Sequence, residues 1–337
     1  MIAVAALWGS YVPALKLLYT MDGPPSVSTY TALHLVISWA FLRIWTGQGM
    51  GSSTTSAQSL TSPTRTSLSA GGKEKENRGA AFELAFWDTS ATVLQTWGVT
   101  LTSALHAGVI ICLCTAFVPV LEGVLAKRKP KNGEILACSV AFVGSVLLVI
   151  GDEGTSGGGA GGSSTLAGDA LTALSALFYA VSMVRIHQKT QNQNTEGAVT
   201  GLAVDKVFFG GVIATVWVLA DVIASYAKAS GGGELDVDVW QSYGSIEQWL
   251  LILFISVGPS ALSNVLQFKA LSKIKPSEGQ VILSTVPLWA ILFSVLTGTR
   301  IAMGGEALAG LGMICFSFLP LFLLEAIQEK RKSRGNN

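Results

Sequence analysis

The sequence matches itself across a spacing of 172 residues. Val93-Leu94-Gln95 recurs as Val265-Leu266-Gln267, and Gly133-Glu134-x-Leu136-Ala137 recurs as Gly305-Glu306-x-Leu308-Ala309. Each copy holds five apolar segments of membrane length, roughly 17 to 25 residues. They fall near 2–20, 27–46, 80–101, 104–126 and 134–151 in the first copy, and near 167–187, 200–224, 246–268, 279–298 and 305–326 in the second. An odd number of spans per copy forces the two copies to cross a bilayer in opposite senses. The expected fold is therefore an all-α integral membrane protein, with ten transmembrane helices arranged as two inverted five-helix repeats. In chain order this gives a first repeat over 1–151, a Gly/Ser-rich linker at 152–166, a second repeat over 167–326 and a basic tail at 327–337.

Composition points to the same solvent. Half of the residues are apolar and 13% are charged, about half the charged fraction of an ordinary soluble domain. Those few charges crowd into the connections between the apolar runs. The net charge of +1 says nothing about a partner, because it hides a strong asymmetry between the two faces.

That asymmetry orients the spans. With the N-terminus inside, every one of the 22 basic residues falls on cytoplasmic connections or the tail except Lys16, Lys206, Lys228 and Arg300. An excess of Lys and Arg on the cytoplasmic side sets membrane topology. Both termini are expected on the cytoplasmic side, or its equivalent in an organelle; a plasma membrane and an organelle envelope fit equally. The tail Lys330-Arg331-Lys332-Ser333-Arg334 reads as a topology anchor, with contact to anionic head groups as the alternative. Met1 leads almost directly into the first span with no cleavage site, so that helix is expected to be retained. So abrupt a start also leaves room for a further N-terminal targeting segment.

Three stretches read as linkers: the Gly, Ser and Thr-rich 47–79, then 154–164 (GTSGGGAGGSS) and 230–233 (SGGG). They bury too little apolar surface to offset the entropy of ordering, so disorder is expected.

The motifs that mark enzymes and metal sites are missing. Cys112, Cys114, Cys138 and Cys315 lie within predicted spans as small packing residues, and Cys112 and Cys114, two apart on a helix, face different ways. His34, His106 and His187 form no HExxH pair, and the sequence has neither a G-x-S-x-G elbow nor a Walker loop. No catalytic residue, cofactor or metal is expected.

The residues also resemble a known family. Trp8-Gly9-Ser10-Tyr11-Val12-Pro13-Ala14-Leu15-Lys16 is similar to the pattern that opens the first helix of EamA-type members of the drug/metabolite transporter superfamily. Leu101-Thr102-Ser103-Ala104 leading to Pro119, and Pro276-Ser277 leading to Pro287, resemble that family's fourth and ninth helices, and Gly168-Asp169 resembles the opening of its sixth. The resemblance covers nearly the whole chain and implies ten helices around a central substrate cavity. The sequence departs from the family at His34, where an Arg is frequent, and in the long loop at 47–79.

Candidate site residues come from chemistry that apolar helices do not otherwise tolerate. A charge at the centre of a span costs roughly 2.5 to 3.5 kcal/mol on insertion scales, so His34, His106, Glu122, Asp205 and Lys206 each need a partner, water or a task. Lys206 aligns with His34 at the repeat spacing, and two such cations at equivalent depth can bind an anionic group from both halves. The alternative is that Asp205 and Lys206 pair with neighbouring helices and that His34 is a hydrogen-bonded packing residue. Trp8 and Tyr11 share a helix face. With Lys16, Tyr179, Gln95, Asn264 and Gln267 they supply the rings and polar groups expected around a small organic solute. Pro13, Pro119, Pro259, Pro287 and Pro320 lie inside predicted spans and are expected to bend them.

Inverted repeats with polar groups at mid-membrane imply a secondary transporter moving a small organic metabolite by alternating access. A relative of the sugar-phosphate or nucleotide-sugar translocators is the alternative within transport, although phosphate calls for several cations and few are within reach. A polytopic receptor or scaffold that no longer transports is the alternative of another class. Expected partners are the lipid bilayer, a small-molecule substrate with a coupling proton as an option, and a second copy of the chain as a homodimer. Nucleic acid is not among them.

Overall fold

The computed structural model describes residues 1–19, 21–47, 66–101, 110–125, 131–153, 166–230, 245–296 and 304–317, and among these no strand occurs. The helices are α1 (Ile2–Tyr19), α2 (Val27–Thr46), α3 (Thr66–Leu101), α4 (Leu113–Leu125), α5 (Asn132–Glu153), α6 (Leu166–Gln191), α7 (Glu196–Ser230), α8 (Ile246–Ile255), α9 (Ser263–Leu271), α10 (Pro276–Leu283), α11 (Val286–Leu296) and α12 (Gly305–Phe316). A π-helical segment, Ser256–Leu262, joins α8 to α9. Among the described residues, five stretches are long and apolar enough to cross a membrane: Ile2–Tyr19, Val27–Thr46, Leu166–Gln191, Glu196–Ala227 and Ile246–Leu271.

Helix ends follow local chemistry. The Ser26 side chain accepts from the Thr29 N–H to cap α2, which stops at Gly47 in the left-handed region at φ 64°, a conformation that costs glycine nothing. Ser245 caps α8 in the same way through the Gln248 N–H. The predicted ninth span is broken at Ser284–Thr285, just ahead of Pro287, which has no N–H to continue the ladder. Residues 66–79, expected as part of a disordered loop, are instead the first turns of α3. The run Lys73-Glu74-Lys75-Glu76 is made of good helix formers, and an adjoining apolar helix gives it a template to extend. Of the other expected linkers, 154–164 and 231–233 lie outside the described residues, as does Pro320.

The chain divides into two compact units, each drawing on both halves of the sequence. The first comprises Met1–Gly9, Ser90–Gln188 and Ala270–Asn337. Here α5 packs along α12, and α4 packs on α5 and α10. Small residues let backbones meet: a Cβ on Gly144 would lie 2.9 Å from the Gly310 carbonyl oxygen, and one on Gly9 would lie 2.3 Å from the Trp289 Cβ. In lipid, where apolar side chains gain little by leaving solvent, such close approach is what holds helices together. Gly98 against Thr172 and Gly168 against Leu101 make the same kind of crossing between α3 and α6.

The second unit comprises Ser10–Thr89 and Lys189–Lys269. Its main contact is α2 along α7, with α2 also packing on the π segment. Leu35 and Val36 of α2 meet Gly210 and Gly211 of α7, and Trp39 meets Phe208 with ring centroids 5.3 Å apart. Ala14, Leu18, Tyr30, Ile252 and Ile255 form an apolar core with Tyr11 packed against it. On α7, Val212, Val216, Leu219 and Ile223 are exposed at helical spacing, an apolar stripe suited to lipid.

Candidate functional site

The polar groups of the second unit gather around Lys206. Its ammonium, on a side chain only 6% exposed, donates to Asp88 Oδ2 of α3 at 2.5 Å and to Asn264 Oδ1 of α9 at 2.8 Å. Asn264 in turn donates through Nδ2 to the Ser260 carbonyl at 2.8 Å, which turns its oxygen towards the ammonium. Asp205, one residue earlier, pairs instead with Arg43 Nη2 of α2 at 3.5 Å, and the Arg43 guanidinium lies 5.8 Å from the Trp39 ring centre. Residues one apart on a helix point about 100° away from each other, so the two neighbours serve different helices. Five residues before Asp88 on α3, Glu83 pairs with Lys189 at 3.0 Å.

His34 and Lys206 differ in role despite their repeat relation. His34 Nδ1 lies 3.1 Å from the Tyr30 carbonyl of its own helix, and its ring stacks on Tyr30 at 5.0 Å. One turn further along α2, the Ser38 hydroxyl donates to the Ser256 carbonyl at 2.7 Å and lies 2.9 Å from the Ser260 hydroxyl. Those are residues of the π segment around Pro259. A proline removes a backbone donor and a π turn loosens the ladder, and within a membrane a hydroxyl from the next helix satisfies the exposed carbonyl. Gln267 is buried on α9.

In the first unit Tyr179 of α6 donates to Gln95 Oε1 of α3 at 3.1 Å and lies 3.0 Å from the Thr92 hydroxyl. Trp8 is half-buried on α1. Glu122, buried on α4, accepts from the Ser277 N–H at 3.2 Å and the Ser277 hydroxyl at 2.5 Å. It thereby caps α10, where a negative charge meets the positive end of the helix dipole. Gln280 of α10 donates to Thr115 at 3.2 Å. Among the candidate site residues, His106 and the side chain of Lys16 lie outside the described residues.

A second ion cluster sits where α5 and α10 begin. Glu134 reaches back to the Lys131 N–H at 3.1 Å, as the third residue of a helix does in a capping box. The Lys275 ammonium joins Glu134 at 2.8 Å and Glu278 at 3.2 Å. Burial pulls the Lys275 ammonium down, but hydrogen bonding and charge from Glu134, then Glu278, outweigh that and hold it above the ordinary lysine value. The sequence signals for these contacts were faint: Glu134 belongs to the repeated Gly-Glu motif, whereas Asp88 and Ser38 carried no mark beyond being polar in apolar runs.

Among the described residues, no group of three or more His, Cys, Asp or Glu is arranged to hold a metal ion. Cys138 is buried against Ala137 and Val281, with its sulfur 3.8 Å from the Ser277 carbonyl, and Cys315 is exposed.

Apolar helices of membrane length, with charges paired between helices inside them, define a multi-pass integral membrane protein. The model of the EamA-like transporter family matches residues 235–323, the stretch that carries α8 to α12. Over that stretch, about a quarter of its length, the chain is similar to EamA-like transporters. A solved structure, titled only as the crystal structure of a protein, covers 97% of this chain and is itself covered to 97%, with a TM-score of 0.69 at 15% identity; the likeness is one of fold. No curated protein matches the chain.

Proposed function

We propose that this protein is a secondary transporter that moves a small organic metabolite by alternating access, with residues 1–151 and 167–326 as inverted five-helix repeats around a central cavity. The observation that carries the reading is helix partnership. At the repeat spacing α2 corresponds to the middle of α7, and α5 begins where α12 begins; each helix packs on its own counterpart. Elements related by a two-fold axis and lying beside it make such contacts with each other.

Two further features support it. Helices eight and nine of the expected ten are interrupted, by the π segment at Pro259 and by the turn at Ser284–Thr285, and discontinuous helices in transporters free backbone groups for substrate and ions. Lys206, with Asn264 and Asp88, supplies a charged group within an apolar helix, where its retention calls for a task or a partner. In this reading Lys206 and Asn264 meet the substrate, and His34 positions Tyr30. Cytoplasmic placement of both termini belongs to the same proposal, as does a homodimer.

The test is uptake by proteoliposomes holding the full chain, using radiolabelled amino acids, nucleobases and organic acids, each competed by unlabelled compound. Saturable uptake of one class supports the reading. Absence of uptake across all three classes refutes transport of a small metabolite and favours a receptor or scaffold.

A further inference from the structure

Every conducting state of this protein must keep Lys206 neutralised. It is nearly fully buried on an apolar helix, and breaking a buried ion pair by removing one partner leaves an uncompensated charge. Asn264 is neutral and fixed through the Ser260 carbonyl, so it orients the ammonium without offsetting its charge. Asp88 provides the charge, and its side chain is 36% exposed against 6% for Lys206. The two members of the pair therefore differ in exposure: the carboxylate is partly open at the surface and the ammonium is enclosed.

From this asymmetry we propose that Lys206 and Asp88 form an exchange site at which a carboxylate-bearing substrate and a proton are taken up together. The proposal rests on the transporter reading above and names its substrate class. A proton from the aqueous side forms an O–H bond on the Asp88 carboxylate, which leaves Lys206. The substrate carboxylate then takes the vacated place on the ammonium, beside the Asn264 oxygen. Before the exchange the site holds one positive and one negative charge; afterwards it holds the ammonium, the substrate carboxylate and a neutral acid. The sum is zero throughout, and the buried charge is never unpaired. A cationic substrate is disfavoured, because pairing it with Asp88 would leave the ammonium buried alone. Several other charged or titratable groups on the helices packed here have partners of their own. Arg43 and Asp205 pair with each other, Glu83 pairs with Lys189, and His34 bonds the Tyr30 carbonyl.

The experiment uses the full chain in liposomes loaded with the pH dye pyranine. Sodium L-malate, L-glutamate and glycolate are added outside in turn, and exchange of the same labelled acids at equal concentrations is followed in parallel. Wild type is expected to acidify the lumen with at least one of these acids. Asp88→Asn, which imitates the protonated residue, is expected to keep exchange of that acid while its proton flux falls to the level of protein-free liposomes. Asp88→Glu is expected to keep both and holds the assay open if Asp88→Asn folds poorly. Lys206→Met is expected to lose both. Carboxylate uptake by wild type without acidification, or acidification that persists in Asp88→Asn, overturns the proposal. Uptake of amines or nucleobases and of none of the acids overturns it while leaving the transporter reading intact; absence of all uptake removes that reading as well.

Discussion

Lys206 holds Asp88 at 2.5 Å across 118 positions of sequence and leaves Asp205, its immediate neighbour, to Arg43. The arrangement separates two charges that a reading of the sequence places side by side, and it ties α7 to α3 and α9 by one group and to α2 by the other.

Removing one member of the closer pair should strand the other. Lys206→Met is expected to lower the thermal midpoint of the purified protein in detergent, at a cost of up to about 3 kcal/mol, the low end for a broken buried pair because Asp88 is partly exposed. The double change Lys206→Met with Asp88→Asn is expected to recover most of that loss, whereas Lys206→Met with Asp205→Asn is not. Recovery by the Asp205 change in place of the Asp88 change would contradict the pairing.

The close crossings make a graded prediction from glycines alone. Gly9→Ala and Gly144→Ala each place a methyl group where backbone or Cβ atoms already stand, and are expected to destabilise by about 1–3 kcal/mol, the usual cost of overpacking. Gly312→Ala on α12 meets nothing within 4 Å. It is expected to be neutral or to stabilise by roughly 0.5–1 kcal/mol, since alanine is the better helix former. Thermal midpoints in one detergent compare all three, and a loss at Gly312 equal to that at Gly9 would argue against these crossings.

How much of this was legible in the sequence differs from residue to residue. Gly9 and Gly168 stood in recognisable motifs, and their physical reason is that another backbone passes within van der Waals distance. The helices themselves follow from apolar run length, and α5 and α12 begin at the repeated Gly-Glu motif. The partner of Lys206 did not show. A salt bridge between helices is chosen by packing, and nothing local distinguishes Asp88 from Asp205, which sits nearer in sequence but on another face. The break at Ser284–Thr285 was foreshadowed by Pro287, yet the π segment was not, because any of several prolines is equally able to bend a helix. The helical start of α3 at Thr66 was masked by Ser, Gly and Thr content.

The cluster at the ends of α5 and α10 predicts an alkaline limit. The folded protein holds Lys275 above the ordinary value of 10.5, so its contribution to stability is fully present below about that pH and fades as pH rises through the higher folded value. The midpoint of wild type should exceed that of Lys275→Gln at neutral pH, and the gap should close as melts are repeated above pH 10.5. A gap unchanged through that range would show that Lys275 stabilises by packing and not by charge.

The central claim is that the two halves cross the membrane in opposite senses, and the starts of α5 and α12 test it most directly because they occupy matching places in the repeat. Asn132 and Gly305 are both exposed. Cysteines introduced one at a time as Asn132→Cys and Gly305→Cys, with Cys112, Cys114, Cys138 and Cys315 changed to alanine, can be labelled in sealed, uniformly oriented membrane vesicles with a membrane-impermeant maleimide. The account predicts that the two positions label from opposite sides, with position 132 on the side of the basic connections. Labelling of both from the same side would mean that the halves are parallel, and would contradict it.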